Sequence, residues 1–329
     1  MEAFFVIQKY YIDALITYMS KYFSALGVVI TSLLIFSTHS ANAQQYVDIG
    51  KIYYANTPVN QFDTLTNSTR IKEFGIDLNV PVPIKNGHAL LFGLYGESIS
   101  TKVNPNESNL TSVYTLNPRL GINYKHNDKW TGTYLLLPKL SSDFKEIGSK
   151  DFQFGAIALL KYAKTEQFSW KFGMYYNGEL FGPFFVPLIG FYYLSTNQKF
   201  EMNVNLPLSV DANYRAKPWL KVGLEFSAFV RSYHLNEPYQ GNPDNYLTKA
   251  TNELFTYLHF NLSDNILLKT KVGYSIGRNY RIYDIEDRVT WGLSAFRFND
   301  DRAQLNGDFE DGLVFRAELI YRFRIKADN

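Results

Sequence analysis

Acid–base chemistry in this chain would have to come from few side chains. Beyond an N-terminal leader the histidines are His88, His126, His234 and His259, and there is no cysteine. Without cysteine there is no thiolate nucleophile, disulfide or cysteine zinc site. A histidine serves as general base when a neighbour orients it. His234 lies near Glu237, and His259 shares a strand face with Asn261, but no motif ties either to a nucleophile. His88 and His126 adjoin short turns. No catalytic residue is therefore assigned, and a lipid- or peptide-modifying enzyme around His234 stands as the alternative to a non-enzymatic role.

Acidic residues gather between Asp284 and Asp311: Asp284, Glu286, Asp287, Asp300, Asp301, Asp308, Glu310 and Asp311. Grouped carboxylates can hold calcium, yet EF-hand spacing is missing, and Arg281, Arg288, Arg297 and Arg302 are interleaved. The pattern predicts a solvated loop with internal ion pairs, and neither a metal nor a cofactor is expected. Trp291, Leu293, Phe296 and Phe298 are too apolar for a simple loop tip, so part of this segment should fold over or into whatever lies beneath.

More charges recur two residues apart, each flanked by apolar neighbours. Near the C-terminus Leu313, Phe315, Ala317, Leu319, Tyr321, Phe323 and Ile325 alternate with Arg316, Glu318, Arg322 and Arg324. Period two means strand, with successive side chains on opposite faces. The charged face carries Arg119, Lys171, Glu201, Asp211, Arg215, Glu225, Arg231, Lys269, Lys271, Arg316, Glu318 and Arg322, of both signs. These charges either line a polar channel or fill a barrel with ion pairs; the structural role is favoured, because a lumen face must be polar in either case.

The elements that hold these residues follow from the leader and the turns. Lys21, the apolar stretch Ala25 to Phe36 and Ala41-Asn42-Ala43 form the three parts of a secretory signal, with cleavage expected after Ala43. Counted from Met1 the leader is long; counted from Met19 it has ordinary proportions, so translation is expected to begin there. Residues 44–329 then form a single domain. Short turns at Lys85-Asn86-Gly87, His126-Asn127-Asp128, Lys164-Thr165-Glu166, Ser195-Thr196-Asn197, Ala216-Lys217-Pro218 and Ser263-Asp264-Asn265 alternate with longer polar connections. Those connections are Asn60 to Thr69, Lys102 to Asn109, Ser141 to Lys150, Asn236 to Ala250 and Ile285 to Asp311. Short turns on one side and long loops on the other is how outer-membrane barrels are built.

Strands in lipid cannot leave an edge open, so the sheet must close. The predicted fold is all-β: a transmembrane antiparallel up-and-down β-barrel of 14 strands, with a tight turn at Leu206-Pro207-Leu208; without that turn the count becomes 12. Trp130, Phe168, Trp170, Phe191, Tyr192, Tyr214, Trp219, Tyr257 and Tyr321 lie near short turns or the C-terminus and are expected to form the periplasmic aromatic girdle. A net charge of +2, scattered along the chain, excludes a nucleic-acid binder.

The leader ending Ala41-Asn42-Ala43-Gln44, the segment Phe200 to Tyr214, the run Lys217-Pro218-Trp219-Leu220-Lys221-Val222-Gly223 and the ending Leu319-Ile320-Tyr321-Arg322-Phe323 resemble the uncharacterised outer-membrane β-barrel families of Gram-negative bacteria, the domain-of-unknown-function barrels. The resemblance implies a cell outer membrane location, outer-membrane lipids as surroundings and no assigned substrate. The last strand resembles an assembly signal for the outer-membrane insertion machinery, with Tyr321 and Phe323 in its aromatic positions; six residues follow Phe323, unlike the usual pattern. The expected role is a passive pore or a structural, surface-interaction protein. A transporter of hydrophobic small molecules is a further alternative, suggested by the apolar residues of the last loop.

Overall fold

The computed structural model describes residues 46–58, 60–62, 65–104 and 110–324. The leader, its cleavage site and the Met19 start lie outside the described residues, as do Ile325 and the side chain of Arg324. In chain order the strands are β1 (Tyr46–Asn56), β2 (Asn60–Phe62), β3 (Leu65–Thr69), β4 (Lys72–Pro83), β5 (Ala89–Thr101), β6 (Thr111–Lys125), β7 (Trp130–Ser142), β8 (Phe152–Ala163) and β9 (Phe168–Glu179). There follow β10 (Gly182–Leu194), β11 (Phe200–Leu206), β12 (Ser209–Lys217), β13 (Leu220–Leu235), β14 (Asn245–Asn261), β15 (Ile266–Asp284), β16 (Trp291–Leu293), β17 (Phe296–Phe298) and β18 (Gly312–Arg324).

The main sheet has 16 strands; β16 and β17 belong to a loop, which leaves 14 in the wall. Each wall strand pairs antiparallel with its sequence neighbours. The ring closes where β1 pairs with β18, from Tyr46↔Arg324 to Asn56↔Phe315. Closure leaves no backbone edge toward lipid, as a spanning sheet requires.

Alternation sorts the side chains as the sequence predicts. On β18 Leu319 is 48% exposed and its neighbour Glu318 only 4%. A soluble protein would not leave such a band of leucine, phenylalanine and tyrosine in water, so the outer face is the lipid face. All six short turns fall where expected, and β11 gives way to β12 at Leu206-Pro207-Leu208, whose first peptide bond is cis.

The structure departs from the sequence reading in several places. A tight turn at Leu180-Phe181, absent from the sequence reading, joins β9 to β10 and runs straight into Gly182, whose φ is 127°, and Pro183. The connection after β13 is shorter than the Asn236 to Ala250 expected, since β14 begins at Asn245. Within the Asn60 to Thr69 connection β2 and β3 form a small hairpin. Tyr192 and Tyr257 do not join the girdle: both point into the bore, where their hydroxyls donate to Glu201 and Asp211 at 3.2 and 2.6 Å. Trp170, Tyr214, Trp219 and Tyr321 are exposed on the outside near the turn end, as a girdle demands.

Candidate functional site

The charged face of the sheet forms the bore, and it packs into connected layers. Nearest the turn end, Glu201 accepts hydrogen bonds from Tyr46 (2.8 Å) and Lys221 (3.0 Å), while Arg322 pairs with Asp48 at 2.5 Å and lies over the Tyr46 ring. Above this layer Lys269 is shared by Asp211 (2.9 Å) and Glu225 (2.6 Å), and Lys271 by Glu225 (2.7 Å) and Glu318 (2.6 Å). Arg119 pairs with Asp77 at 2.8 Å. Arg316 lies 3.2 Å from Glu253 and 3.5 Å from Glu73.

At mid-bore the network spans the opening. Glu97 on β5 accepts from Tyr53, Tyr95, Tyr233 and, at 2.9 Å, Arg231 of β13, a strand far round the ring. Lys249 on β14 reaches Glu73 on β4 at 2.7 Å. Such buried charges are tolerable only because each is paired and further hydrogen-bonded. Of the sequence-predicted lumen residues two stand apart. Arg215 is exposed at the turn end of β12 opposite Lys221, and Lys171 has amide rather than carboxylate partners.

The loop end of the bore is closed by the chain itself. β13 pairs with β12 only as far as Ser227, with one further bond from the Ala228 amide to the Leu208 carbonyl at 2.8 Å. Beyond that point β13 leaves the wall, still paired to β14, and crosses the bore to meet β7, where His234 lies beside Ser142 in parallel register. Its freed edge is taken up by side chains of the far wall. The Ser232 amide donates to Glu179 at 2.6 Å, and the Ser232 carbonyl accepts from Ser141 (3.0 Å) and Gln153 (3.1 Å). Glu179 is itself held by Lys139 at 2.7 Å and by Asn177. A sheet edge that would otherwise be an orphan row of donors and acceptors is thus satisfied internally.

Apolar residues pack both faces of the crossing sheet. One cluster joins Tyr233, Leu235, Leu247, Tyr280 and Ile282 to Phe62, Ile71 and Phe309; the other joins Tyr246, Tyr283 and Ile285 to Phe181, Phe184 and Val186. The last loop therefore does enter the mouth, through Ile285, Val289 and Phe309, while Trp291, Phe296 and Phe298 stay exposed on it. Its ion pairs are present: Arg302 donates to Asp300 at 2.7 Å and Arg281 to Asp308 at 2.8 Å. The Arg302 guanidinium holds the Asp300 carboxyl below the usual carboxylate range.

His234 sits at the rim of this closure. Its Nδ1 is 2.7 Å from Asp151 and its Nε2 3.1 Å from Asp244, which also pairs with Lys150. With a carboxylate oxygen on each ring nitrogen, the imidazole acts as a clamp between the segment before β8 and the loop before β14. Burial raises the Asp244 carboxyl, and the hydrogen bonds from Lys150 and His234 outweigh that, leaving it below the usual range. His259 is buried in the bore, His88 accepts from the Lys125 amide, and His126 bonds Tyr134. Among the described residues no group of three or more histidines or carboxylates has the geometry of a metal site.

Residues 39–291 match the family model described as domain of unknown function DUF6268. The chain belongs to that family. No curated protein matches it. Among solved structures the DUF6268 barrel is similar to an outer-membrane channel of Pseudomonas putida F1, at 10% identity over 88% of this chain and 100% of that one with a TM-score of 0.41. It is also similar to the toluene transporter TodX of Pseudomonas putida (9% identity, 84% and 90% coverage, TM-score 0.36). A third is the translocator domain of the autotransporter NalP of Neisseria meningitidis (8% identity, 94% and 98% coverage, TM-score 0.35). Likeness at this level does not extend to what those proteins carry or bind.

One stretch of the DUF6268 wall is incomplete. β11 has 7 residues and β12 has 9, whereas β10 and β13 on either side have 13 and 16. A spanning strand needs about 9 to 11 residues, so β11 falls short of that length and β12 only just reaches it, and the Leu206-Pro207-Leu208 turn between them is apolar. Above it the edge of β10 is covered by β16, in parallel register at Phe184↔Gly292 and Phe185↔Leu293. Leu208 and Val230 seal the remaining gap by packing against the second apolar cluster.

The closure was the part of the site that sequence reasoning missed. Its signal is the loss of alternation at the loop ends of the strands: Ser232 to Leu235 and Asn245 to Lys249 are buried without a break. Consecutive burial marks a strand covered on both faces.

Proposed function

We propose that this protein is an integral barrel of the bacterial outer membrane, its loop end outward, whose bore is closed at rest, so that it acts as a structural or surface-interaction protein and not as an open diffusion pore. The observation that carries this reading is the docking of Ser232 on Glu179, Ser141 and Gln153, which puts a strand across the mouth. Insertion through the β18 signal, with Tyr321 and Phe323 facing outward, belongs to the same proposal. Planar-bilayer recording of the purified barrel tests it: no discrete conductance is expected from the native chain, and openings from a Glu179→Ala, Gln153→Ala variant. Steady conductance from the native protein would rule the reading out.

A second reading, passage of small apolar molecules, is favoured by the short β11–β12 hairpin, above which only β16, Leu208 and Val230 separate the second apolar cluster from the outside. Saturable binding of an apolar fluorescent naphthylamine to the native barrel, lost in Val186→Arg, supports it; partitioning identical to that of empty micelles counts against it.

A further inference from the structure

The buried cations of the bore have carboxylate partners, among them Lys139, Lys221, Arg231, Lys249, Lys269 and Lys271. Lys161 and Lys171 differ. They are directly opposite each other on β8 and β9, on the lumen face a few residues inside the turn end. Like charges in that register repel, and partial burial strengthens the repulsion. The amide oxygens of Asn203 and Asn205, the latter at 3.2 Å, hold the Lys171 ammonium, and the residue directly across from it is Lys161. No ion pair of either lysine occurs among the described residues. Both side chains are only half-buried, so solvent reaches them.

A second feature lies on the same face of β9, two residues before Lys171. The Ser169 hydroxyl is fully buried and has no hydrogen-bond partner among the described residues. Buried hydroxyls are normally satisfied, and an orphan one is costly. Two uncompensated ammonium groups with a free hydroxyl beside them make a set of donors that lacks an acceptor with negative charge.

We propose that Lys161 and Lys171, with Ser169, form a binding site for a small oxyanion, a phosphate or a carboxylate, at the turn end of the bore. The anion removes the repulsion between the lysines and accepts their remaining N–H groups in charge-assisted hydrogen bonds. A lysine ammonium has three donors and Lys171 directs two at amide oxygens, so one is left for a ligand. The site does not depend on the bore being open, because it lies on the turn side of the β13 closure.

The test uses the full-length barrel in nanodiscs, titrated with inorganic phosphate and, separately, with acetate, at ionic strength held constant with sodium chloride. Lysine ε-methylene NMR shifts and the unfolding temperature are the readouts. Saturable shifts with either anion are expected, phosphate alone indicating a phosphate site and acetate alone a carboxylate site. Lys161→Gln and Lys171→Gln should each weaken binding about tenfold or more, the loss of one charge-assisted hydrogen bond. Ser169→Ala keeps both charges and should weaken it less, while Lys125→Gln, whose lysine is paired to Asp128, should leave it unchanged. No saturable response to either anion, or equal binding by the Lys161→Gln, Lys171→Gln double variant, overturns the proposal. Failure of the closed-bore reading would show as conductance and would leave these titrations unaffected.

Discussion

At the loop end of the bore Tyr246 and Leu247 are both buried, one in each apolar cluster, and the crossing strand is held at separate points: Glu179 takes the Ser232 amide, Glu97 takes Arg231 and Tyr233, and Asp151 meets His234. Toward the turn end charged residues dominate the bore, and Glu225, Glu318 and Asp211 share Lys269 and Lys271 between them. The first region is a small protein core whose polar anchors act separately, and its clasp is Glu179, which alone serves both Lys139 and the Ser232 amide. The second is a mesh in which each lysine has two acids. Redundancy is the difference: the mesh can lose a member and re-pair, whereas the clasp has no substitute.

Truncation at the clasp should therefore have the largest effect. Glu179→Ala leaves Lys139 buried without its counter-charge and Ser232 without an acceptor, and should cost about 3–5 kcal/mol of stability. Urea unfolding followed by the gel shift between folded and boiled forms measures it; a cost equal to that of a mesh variant would erase the distinction. Tyr233→Ala removes a fully buried ring from the first cluster together with its bond to Glu97, with a loss of about 3–4 kcal/mol by the same assay. Glu225→Gln should cost less, about 1–2 kcal/mol, since Asp211 and Glu318 still serve the two lysines. Lys161→Gln should be neutral or stabilising by up to about 1 kcal/mol, because it removes a like-charge pair; marked destabilisation would show the lysine to be structural.

The smallest effect belongs to the rim. Asp300 and Asp244 have carboxyls held below their ordinary range by Arg302 and by Lys150 with His234. A depressed carboxyl contributes fully above its unfolded value of about 3.9 and loses that contribution as the pH falls through the folded value. Amide exchange at Ile285, whose N–H donates to the Asp244 carbonyl, should accelerate only below about pH 4, with the wall strands still protected; acceleration near neutral pH would place the control elsewhere.

How much of this could be read from the sequence depended on whether the decisive contact was local. Leu313 to Phe323 alternates so regularly that the lipid and lumen faces of β18 follow from period two alone. Pro207 marks its turn only weakly, because alternation runs unbroken through it and Pro81, Pro118, Pro138 and Pro187 sit within wall strands. The Leu180-Phe181 turn carries its signal one step later, in Gly182-Pro183, where β10 has already begun. The closure was hidden for a different reason: Ser232 meets Ser141, Gln153 and Glu179, all contributed by strands on the far wall, and Asn245 to Lys249 mixes polar and apolar residues much as a solvated loop does. Tyr192 and Tyr257 were misplaced because a tyrosine near a turn suits a lipid boundary and an inward hydroxyl equally well. The partners that decide, Glu201 and Asp211, lie on other strands: one strand away for Tyr192, two for Tyr257.

The crossing end of β13 can be described as a peptide ligand that is covalently attached to its own receptor. Tethering gives such a ligand an effective concentration on the order of millimolar for a short connection. A free peptide offering the same backbone edge would have to exceed that concentration to take its place on Glu179, Ser141 and Gln153. Release also leaves the strand only a short swing from its dock, so the mouth recloses on the timescale of local chain motion and not of diffusional encounter.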